Sequence, residues 1–209
     1  MELEVVLRDY VGLEIPLHFA QKLTDYYKRI NKGIGSDIYL KREDLNHGGA
    51  HKINNAIAQA MLAKRINFKN VVVPTGAGQH GVATAAACAK VSLECTILMG
   101  SLDMERQPSN VLLMKHLGAK VHPFSTSWPS EISQRKLQRC YVRSFKDAMS
   151  VGAAIRPHPC PTMVRAFKSI IEKETRKQAK EKWDGMLVLG VALMLWDCFM
   201  NLYKMNMLG

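Results

Sequence analysis

Two short stretches hold residue types that could do chemistry. The first is His47-Gly48-Gly49-Ala50-His51-Lys52-Ile53-Asn54-Asn55, preceded by Glu43, Asp44 and Asn46. Gly48, Gly49 and Ala50 leave the backbone uncluttered. Ile53, Ala56, Ile57, Ala60 and Met61 then recur at helical spacing, so Lys52 falls near the first turn of a helix. The positive end of a helix dipole disfavours an ammonium there and favours a neutral, nucleophilic amine. A lysine that attacks an aldehyde to form a Schiff base needs that bias. On this stretch alone, an ordinary solvated lysine is the better reading.

The second stretch is Val71-Val72-Val73-Pro74-Thr75-Gly76-Ala77-Gly78-Gln79-His80-Gly81. It reads as a strand, a glycine-rich turn and a helix start. Glycines let backbone N–H groups approach an anion, and a helix N-terminus favours negative charge. Gln79 and His80 add side-chain donors, so a carboxylate or a phosphate would suit the loop. No Gly-Lys-Ser/Thr follows and the spacing is not GxGxxG, which excludes the common nucleotide loops. A tight strand–helix turn without a ligand is an equal alternative.

The elements that must position these stretches alternate. Residues 1–17 read as a loose or partly helical arm. His18 to Ile30 fits a helix with Phe19, Leu23, Tyr26, Tyr27 and Ile30 on one face. A turn over 31–36 leads to a strand from Asp37 to Leu40. After the Lys52 helix come a strand at Val71–Val73, a small-residue helix from Val82 to Lys90 and a strand from Cys95 to Met99. Asp103 to Leu117 reads as mostly helical, with Pro108 tolerable only near its start and Gly118 as its stop. Lys120 to Phe124 is a further strand. This alternation predicts an α/β fold with a largely parallel sheet. Residues 125–156 lack a clear period, although Glu131 to Val142 could be helical. A rigid turn at Pro157 to Pro161 precedes a helix from Met163 to about Trp183, with Thr162 as its N-cap. Met186 to Trp196 carries no charge, but Asp197 interrupts before membrane-spanning length, so a buried strand and short helix are expected.

The 209 residues suggest one large domain or two small ones, and ordinary apolar content permits a sizeable core. Lys and Arg number 29 against 18 Asp and Glu, a net +11. The positive charges are spread out. The densest run, Lys168 to Lys182, mixes signs: Lys168 and Glu172, Glu172 and Arg176, and Lys177 and Glu181 are each four apart, which predicts an exposed helix with i,i+4 pairs more than a nucleic-acid arm. Zinc-finger spacing and aromatic RNA-binding motifs are absent from the sequence. The five cysteines form no CxxC, so scattered small hydrophobes in a reducing compartment are expected. The N-terminus reads as neither a signal nor a transit peptide.

Taken together, the stretches resemble the tryptophan synthase beta chain, and its plant branch most. The resemblance rests on KREDLNHGGAHKINNA, TGAGQHGVATA, MGSLDMERQ, PHPCPTMVRAF and ETRKQAKEKW, with RDYVGLEIPLHFA at the N-terminus, and it covers nearly all of residues 1–184. It implies the N-terminal part of a fold-type II pyridoxal 5'-phosphate enzyme. It also implies replacement of the L-serine hydroxyl by indole to give L-tryptophan, in partnership with an alpha chain and a second beta chain. Neither nucleic acid nor membrane is expected as a partner. By the same resemblance Lys52 is the Schiff-base lysine and His51 lies near the cofactor phosphate. Thr75, Gly76, Ala77, Gly78, Gln79 and His80 hold the amino-acid carboxylate, and no metal is implied. Arg106 matches an arginine that pairs with an acidic residue of the C-terminal half. The implied organisation is residues 1–66 as the first α/β region, 67–154 as a mobile carboxylate-loop subdomain, and 155–185 as a helix and turn leading back to the core. Residues 186–209 then form a remnant of a C-terminal domain or an out-of-frame tail. Resemblance to plant relatives implies a plastid, and the chain alone a cytoplasmic location.

Several positions depart from the family. Pro74 stands where the family has the glutamate that serves as general acid/base at the serine hydroxyl and in indole attack, and proline cannot transfer a proton. Gly190-Val191-Ala192-Leu193-Met194 stands where the family's GGGSN phosphate loop should come, and the later residues at the pyridine nitrogen and opposite Arg106 are missing. Residues 125–156 keep the family's length but not its wording. Gly48 replaces a threonine and Arg156 a glycine. The family's AMGLFHEF phrase, read with a single-nucleotide slip, yields LWDCFMN, which is Leu195 to Asn201 here. A truncated homologue that does not catalyse but still binds an alpha or a beta chain is therefore the alternative expectation.

Overall fold

A computed structural model describes residues 2–124, 148–150 and 160–181 of the chain. The sheet that carries the second stretch has the strand order β5-β4-β3-β6, and every pairing in it is parallel. Here β3 is Asn70–Thr75, β4 Glu94–Gly100, β5 Lys120–Phe124 and β6 Ala148–Ser150. Val71, Val72 and Val73 are fully buried, as a strand covered on both faces requires. Pro74 extends β3 beyond the valine run, in register with Leu98, and Thr75 pairs with Met99. β6 escapes the periodicity of the sequence because it is three residues long and takes its register entirely from Asn70–Val72.

The helices α3 (Lys52–Arg65) and α4 (Gln79–Val91) pack against each other, and α4 lies on β3 and β4. Alanines and glycine on α4 allow the close approach. α3 is buried all round from Ile53 to Ala60, including the amides Asn54, Asn55 and Gln59. Gln59 donates to Asn55 Oδ1 at 2.7 Å. The last described helix, α7 (Cys160–Lys180), covers a further side of α3.

The remaining elements correct several expectations. The N-terminal arm is a helical turn α1 (Leu3–Val6) running into a π-helical turn (Leu7–Val11), whose Val6 and Val11 enter the core. The helix expected from His18 begins only at Gln21: Leu17–Phe19 forms β1, antiparallel to β2 (Tyr39–Lys41), and α2 is Gln21–Ile30. Phe19 stacks on Tyr39 at 4.9 Å, a cross-strand pair that outweighs helical spacing. Tyr26, Tyr27 and Ile30 are exposed, so this stripe is not core among the described residues. The helix expected over 103–117 is two, α5 (Ser101–Arg106) and α6 (Pro108–His116), broken at Gln107, whose φ −128° and ψ 54° are not helical. Proline disfavours a helical residue before it, which places the break. Gly118 closes α6 at φ +84°, as expected. Thr162 is not an N-cap: α7 already starts at Cys160, and Pro161 fits a first turn because the N–H it lacks has no helical partner there. α7 is amphipathic and not merely exposed, since Val164, Ile171, Glu174 and Ala179 are buried. Its predicted Glu172–Arg176 pair forms at 2.7 Å, but Lys177 pairs with Glu14 instead. Glu131 to Val142, the turn at 157–159, Trp183 and the apolar tail lie outside the described residues.

Candidate active site

Lys52 is the first residue of α3, as its sequence context predicts. Its amine is half-buried, and that burial lowers its pKa from the ordinary lysine value. Removal of water disfavours the ammonium, which is the direction a nucleophilic amine needs. His51 caps the helix through its backbone and is itself pushed down to about 4, first by burial and then by the charges of Lys168 and Lys52. At neutral pH His51 is therefore an uncharged ring that still carries one N–H donor. The N–H groups of His51 and Lys52 form no hydrogen bond among the described residues, as expected at an open helix start. Lys168, on α7, brings a second cation to this helix start. Local reading of the sequence missed it, because Lys168 looked like one member of an i,i+4 pair.

The loop that delivers Lys52 is held by side chains. Asn46 Oδ1 accepts from the Ala50 N–H at 3.1 Å, and Asn46 O accepts from the Gly49 N–H at 3.0 Å. Glu43 Oε2 accepts from Asn46 Nδ2 at 3.2 Å and from Asn54 Nδ2 at 3.4 Å, which joins the loop to α3. Burial raises the Glu43 carboxyl above the usual range, assisted by Glu174 and opposed by Lys41. Below this network Lys41 Nζ donates to Glu174 Oε2 at 2.7 Å, and the Ile15 N–H shares that oxygen at 3.2 Å. Gly48 and Gly49 have φ +98° and +69°, and a methyl on either would meet nothing within 4 Å.

The second stretch runs from the end of β3 into α4. Thr75 is buried, and its Oγ1 accepts from the Gly81 N–H at 3.3 Å. Gly78 adopts φ +94° and caps α4, and its carbonyl accepts the Val82 N–H at 2.9 Å. The N–H groups of Ala77, Gly78 and Gln79 form no hydrogen bond among the described residues. His80 is half-buried, and its carbonyl accepts from Thr84 Oγ1 at 2.8 Å. Gln79 is exposed. The loop is thus closed at its base and carries unused donors at its crest, which suits an oxyanion. Pro74 sits directly before it, still within β3.

Both stretches begin helices that pack side by side, so the structure places an amine and an anion cradle on neighbouring elements. Residues 17–190 match the sequence model of the family described as pyridoxal-phosphate dependent enzyme. The chain belongs to that family. Two solved structures share its fold. Escherichia coli diaminopropionate ammonia lyase in its apo form is 18% identical with a TM-score of 0.71, over 94% of this chain and 58% of that one. The threonine deaminase of T.th. is 19% identical with a TM-score of 0.63, over 86% of this chain and 51% of that one. The chain therefore spans a little over half the length of either structure.

Pyridoxal phosphate is the cofactor of this family, and the residues around Lys52 fit one side of it. The amine has lost part of its preference for a proton, Lys168 brings positive charge to the same helix start, and two unbonded backbone N–H groups and the neutral His51 ring offer hydrogen-bond donors there. Lys52 would hold the cofactor's aldehyde carbon, and His51 would stand near its phosphate. Arg106 ends α5 on the surface. Cys88 and Cys95 are buried free thiols, and the neighbouring Cys95 thiol, with burial, raises the Cys88 thiol, which makes Cys88 a packing group rather than a nucleophile. Among the described residues no helix is long and apolar enough to cross a membrane.

Proposed function

We propose that the chain follows the tryptophan synthase beta pattern: a pyridoxal phosphate-dependent replacement of the L-serine hydroxyl by indole, giving L-tryptophan. The observation that carries this reading is the burial-lowered amine of Lys52 on the first residue of α3, beside the helix that the TGAGQHG loop begins. When bound, the cofactor supplies an electron-accepting ring that stabilises negative charge at the amino acid's α-carbon. Lys52 anchors it and moves protons at that carbon. Thr75, Gly76, Ala77, Gly78, Gln79 and His80 receive the serine carboxylate, with Ala77, Gly78 and Gln79 offering N–H groups. An alpha chain that supplies indole and a second beta chain are the partners this reading implies, in a plastid or the cytoplasm.

A second reading rests on Pro74. It lies in β3 immediately before Thr75, where the resembled family has a proton-transferring glutamate, and its ring has no titratable group. A general acid/base of that kind contributes about 10²–10⁴-fold in rate. On this reading the chain binds an alpha or a beta chain without efficient turnover. One series of measurements separates the two. The chain is purified with pyridoxal phosphate and reduced with borohydride, and the expected result is an adduct mapped to Lys52 and lost in Lys52→Ala. An adduct that persists in Lys52→Ala, or none in the natural chain, overturns the cofactor reading. Serine plus indole is then assayed with the natural chain and with Pro74→Glu. Tryptophan made by the natural chain itself supports the enzymatic reading, whereas tryptophan from Pro74→Glu with almost none from the natural chain supports the second. Silence from both proteins, together with co-purification of an alpha chain, supports the second.

A further inference from the structure

The Ala77–Gly78 peptide is held from outside its own loop. Asn110, in the first turn of α6, donates its Nδ2–H to the Ala77 carbonyl at 2.7 Å, across 33 residues of chain. The contact is close as well as polar: a Cβ built on Gly78 would fall 2.7 Å from Asn110 Cβ and 3.0 Å from its Nδ2. A trans peptide carries its C=O and N–H on opposite sides of one rigid plane. A hydrogen bond that draws the Ala77 oxygen toward α6 therefore aims the Gly78 N–H away from α6. That N–H is one of the donors without a partner among the described residues. Gly78 is at φ +94°, and glycine at such a φ has other accessible conformations, so the orientation of this plane needs an external restraint.

We propose that Asn110 is a positioning residue for carboxylate recognition: it pins the 77–78 peptide plane so that the Gly78 N–H is preset toward the amino-acid carboxylate. The inference rests on the carboxylate role given above to the 75–80 loop. Asn110 does not touch the ligand. It acts by keeping the donor oriented before the ligand arrives, which removes a reorganisation cost from binding. Two properties of the side chain matter, an N–H donor and a length that reaches the Ala77 oxygen. Aspartate keeps the length and loses the donor, and it sets a negative oxygen against a carbonyl oxygen.

The test follows the Gly78 amide in full-length chain labelled with ¹⁵N-glycine, without cofactor, during titration with L-serine, acetate and ethanolamine. In the natural protein the Gly78 signal is expected to shift saturably with L-serine and acetate, and not with ethanolamine, which has no carboxylate. Asn110→Ala and Asn110→Asp are both expected to weaken the L-serine response by about 3- to 10-fold, the size of one ordinary hydrogen bond. The Lys52 borohydride adduct is expected to be unchanged in both. Equal L-serine affinity in the natural protein and both variants overturns the positioning role while leaving the carboxylate loop intact. So does retention of affinity in Asn110→Asp alone, which would make the contact one of packing. A Gly78 signal that ignores L-serine and acetate in the natural protein overturns the loop's carboxylate role, and the Asn110 role with it. Loss of the Lys52 adduct in all three proteins overturns the cofactor reading and leaves the Asn110 inference standing on the L-serine response.

Discussion

The loops before α3 and α4 look alike in sequence, for each sets glycines ahead of a helix start. They are built in opposite ways. The loop at Asn46–His51 is held by side chains: Glu43, Asn46 and Asn54 tie it to its helix, with the buried Lys41–Glu174 pair beneath. Its glycines supply backbone shape alone, since neither Gly48 nor Gly49 has a neighbour that a methyl would strike. The loop at Thr75–Gly81 is held chiefly by packing, with one hydrogen bond each involving the Thr75 and Asn110 side chains. A Cβ on Gly81 would lie 2.5 Å from Met114 Sδ, 3.1 Å from Thr75 Cγ2 and 3.2 Å from Ile97 Cγ2, and one on Gly78 would strike Asn110. The first design presents one half-buried amine, whose pKa that burial lowers. The second leaves rigid backbone donors. An identical residue type therefore does different work, and only the surroundings tell which.

The comparison can be broken at several points, in falling order of effect. Lys52→Ala should reduce the borohydride-fixed cofactor adduct to background while urea unfolding changes little, because the amine is chemical rather than structural. A large loss of stability would mean that Lys52 belongs to the holding network. Glu174→Ala should be the most damaging structural change in the first region. It strands Lys41 and the Ile15 N–H in a site where the Glu174 side chain is only 5% exposed. Breaking a buried pair on one side costs about 3–5 kcal/mol, read as a fall in the urea midpoint. Gly81→Ala should cost about 1–3 kcal/mol through overpacking. Gly48→Ala should cost about 1 kcal/mol through its positive φ alone, and Gly48→Asn less. Equal losses for alanine at 48 and 81 would erase the distinction between shape and space.

A pH dependence comparable in size to the glycine substitutions is also expected. The folded pKa of His51 is depressed to about 4 from an ordinary 6.5. Between those values the unfolded chain binds a proton that the folded chain does not, so His51 makes stability fall as pH drops from 6.5 toward 4. With its partial solvent exposure the loss is about 1–2 kcal/mol. Glu43 has the opposite sign. Its folded pKa is raised, so its proton is held more tightly in the folded chain, and stability falls as pH rises from the ordinary glutamate value through the raised one. Urea midpoints measured across pH 4 to 7 should steepen in Glu43→Gln, which removes the opposing contribution, and flatten in His51→Gln.

Much of this was legible in the residues themselves. The alternation of β-branched runs with alanine-rich runs predicts a parallel α/β sheet, and β3, β4, β5, α3 and α4 form within a few residues of where that pattern puts them. Lys52 at a helix start and Gly78 at a strand–helix turn follow from local spacing, because capping and backbone freedom are properties of a few consecutive residues. The errors arise where a distant partner or a proline competes with local period. Phe19 reads as helical until Tyr39 pairs with it, Gln107 reads as helical until the restriction imposed by Pro108 is weighed, and Ala148–Ser150 has no pattern apart from β3.

Residue type and order therefore determined which groups could act: an amine at a helix start, an anion loop at another, and a proline where a proton donor is expected by resemblance. Tertiary structure alone decided how those groups are conditioned. Glu174 reaches Lys41 across 133 residues and Asn110 reaches Ala77 across 33, and Lys168 raises the positive potential at His51 from a helix that local reading left on the surface. The reason is physical. Burial, which lowers the Lys52 pKa, and steric closure, which requires glycine at 78 and 81, are sums over neighbours brought from elsewhere in the chain, and no window of consecutive residues contains them.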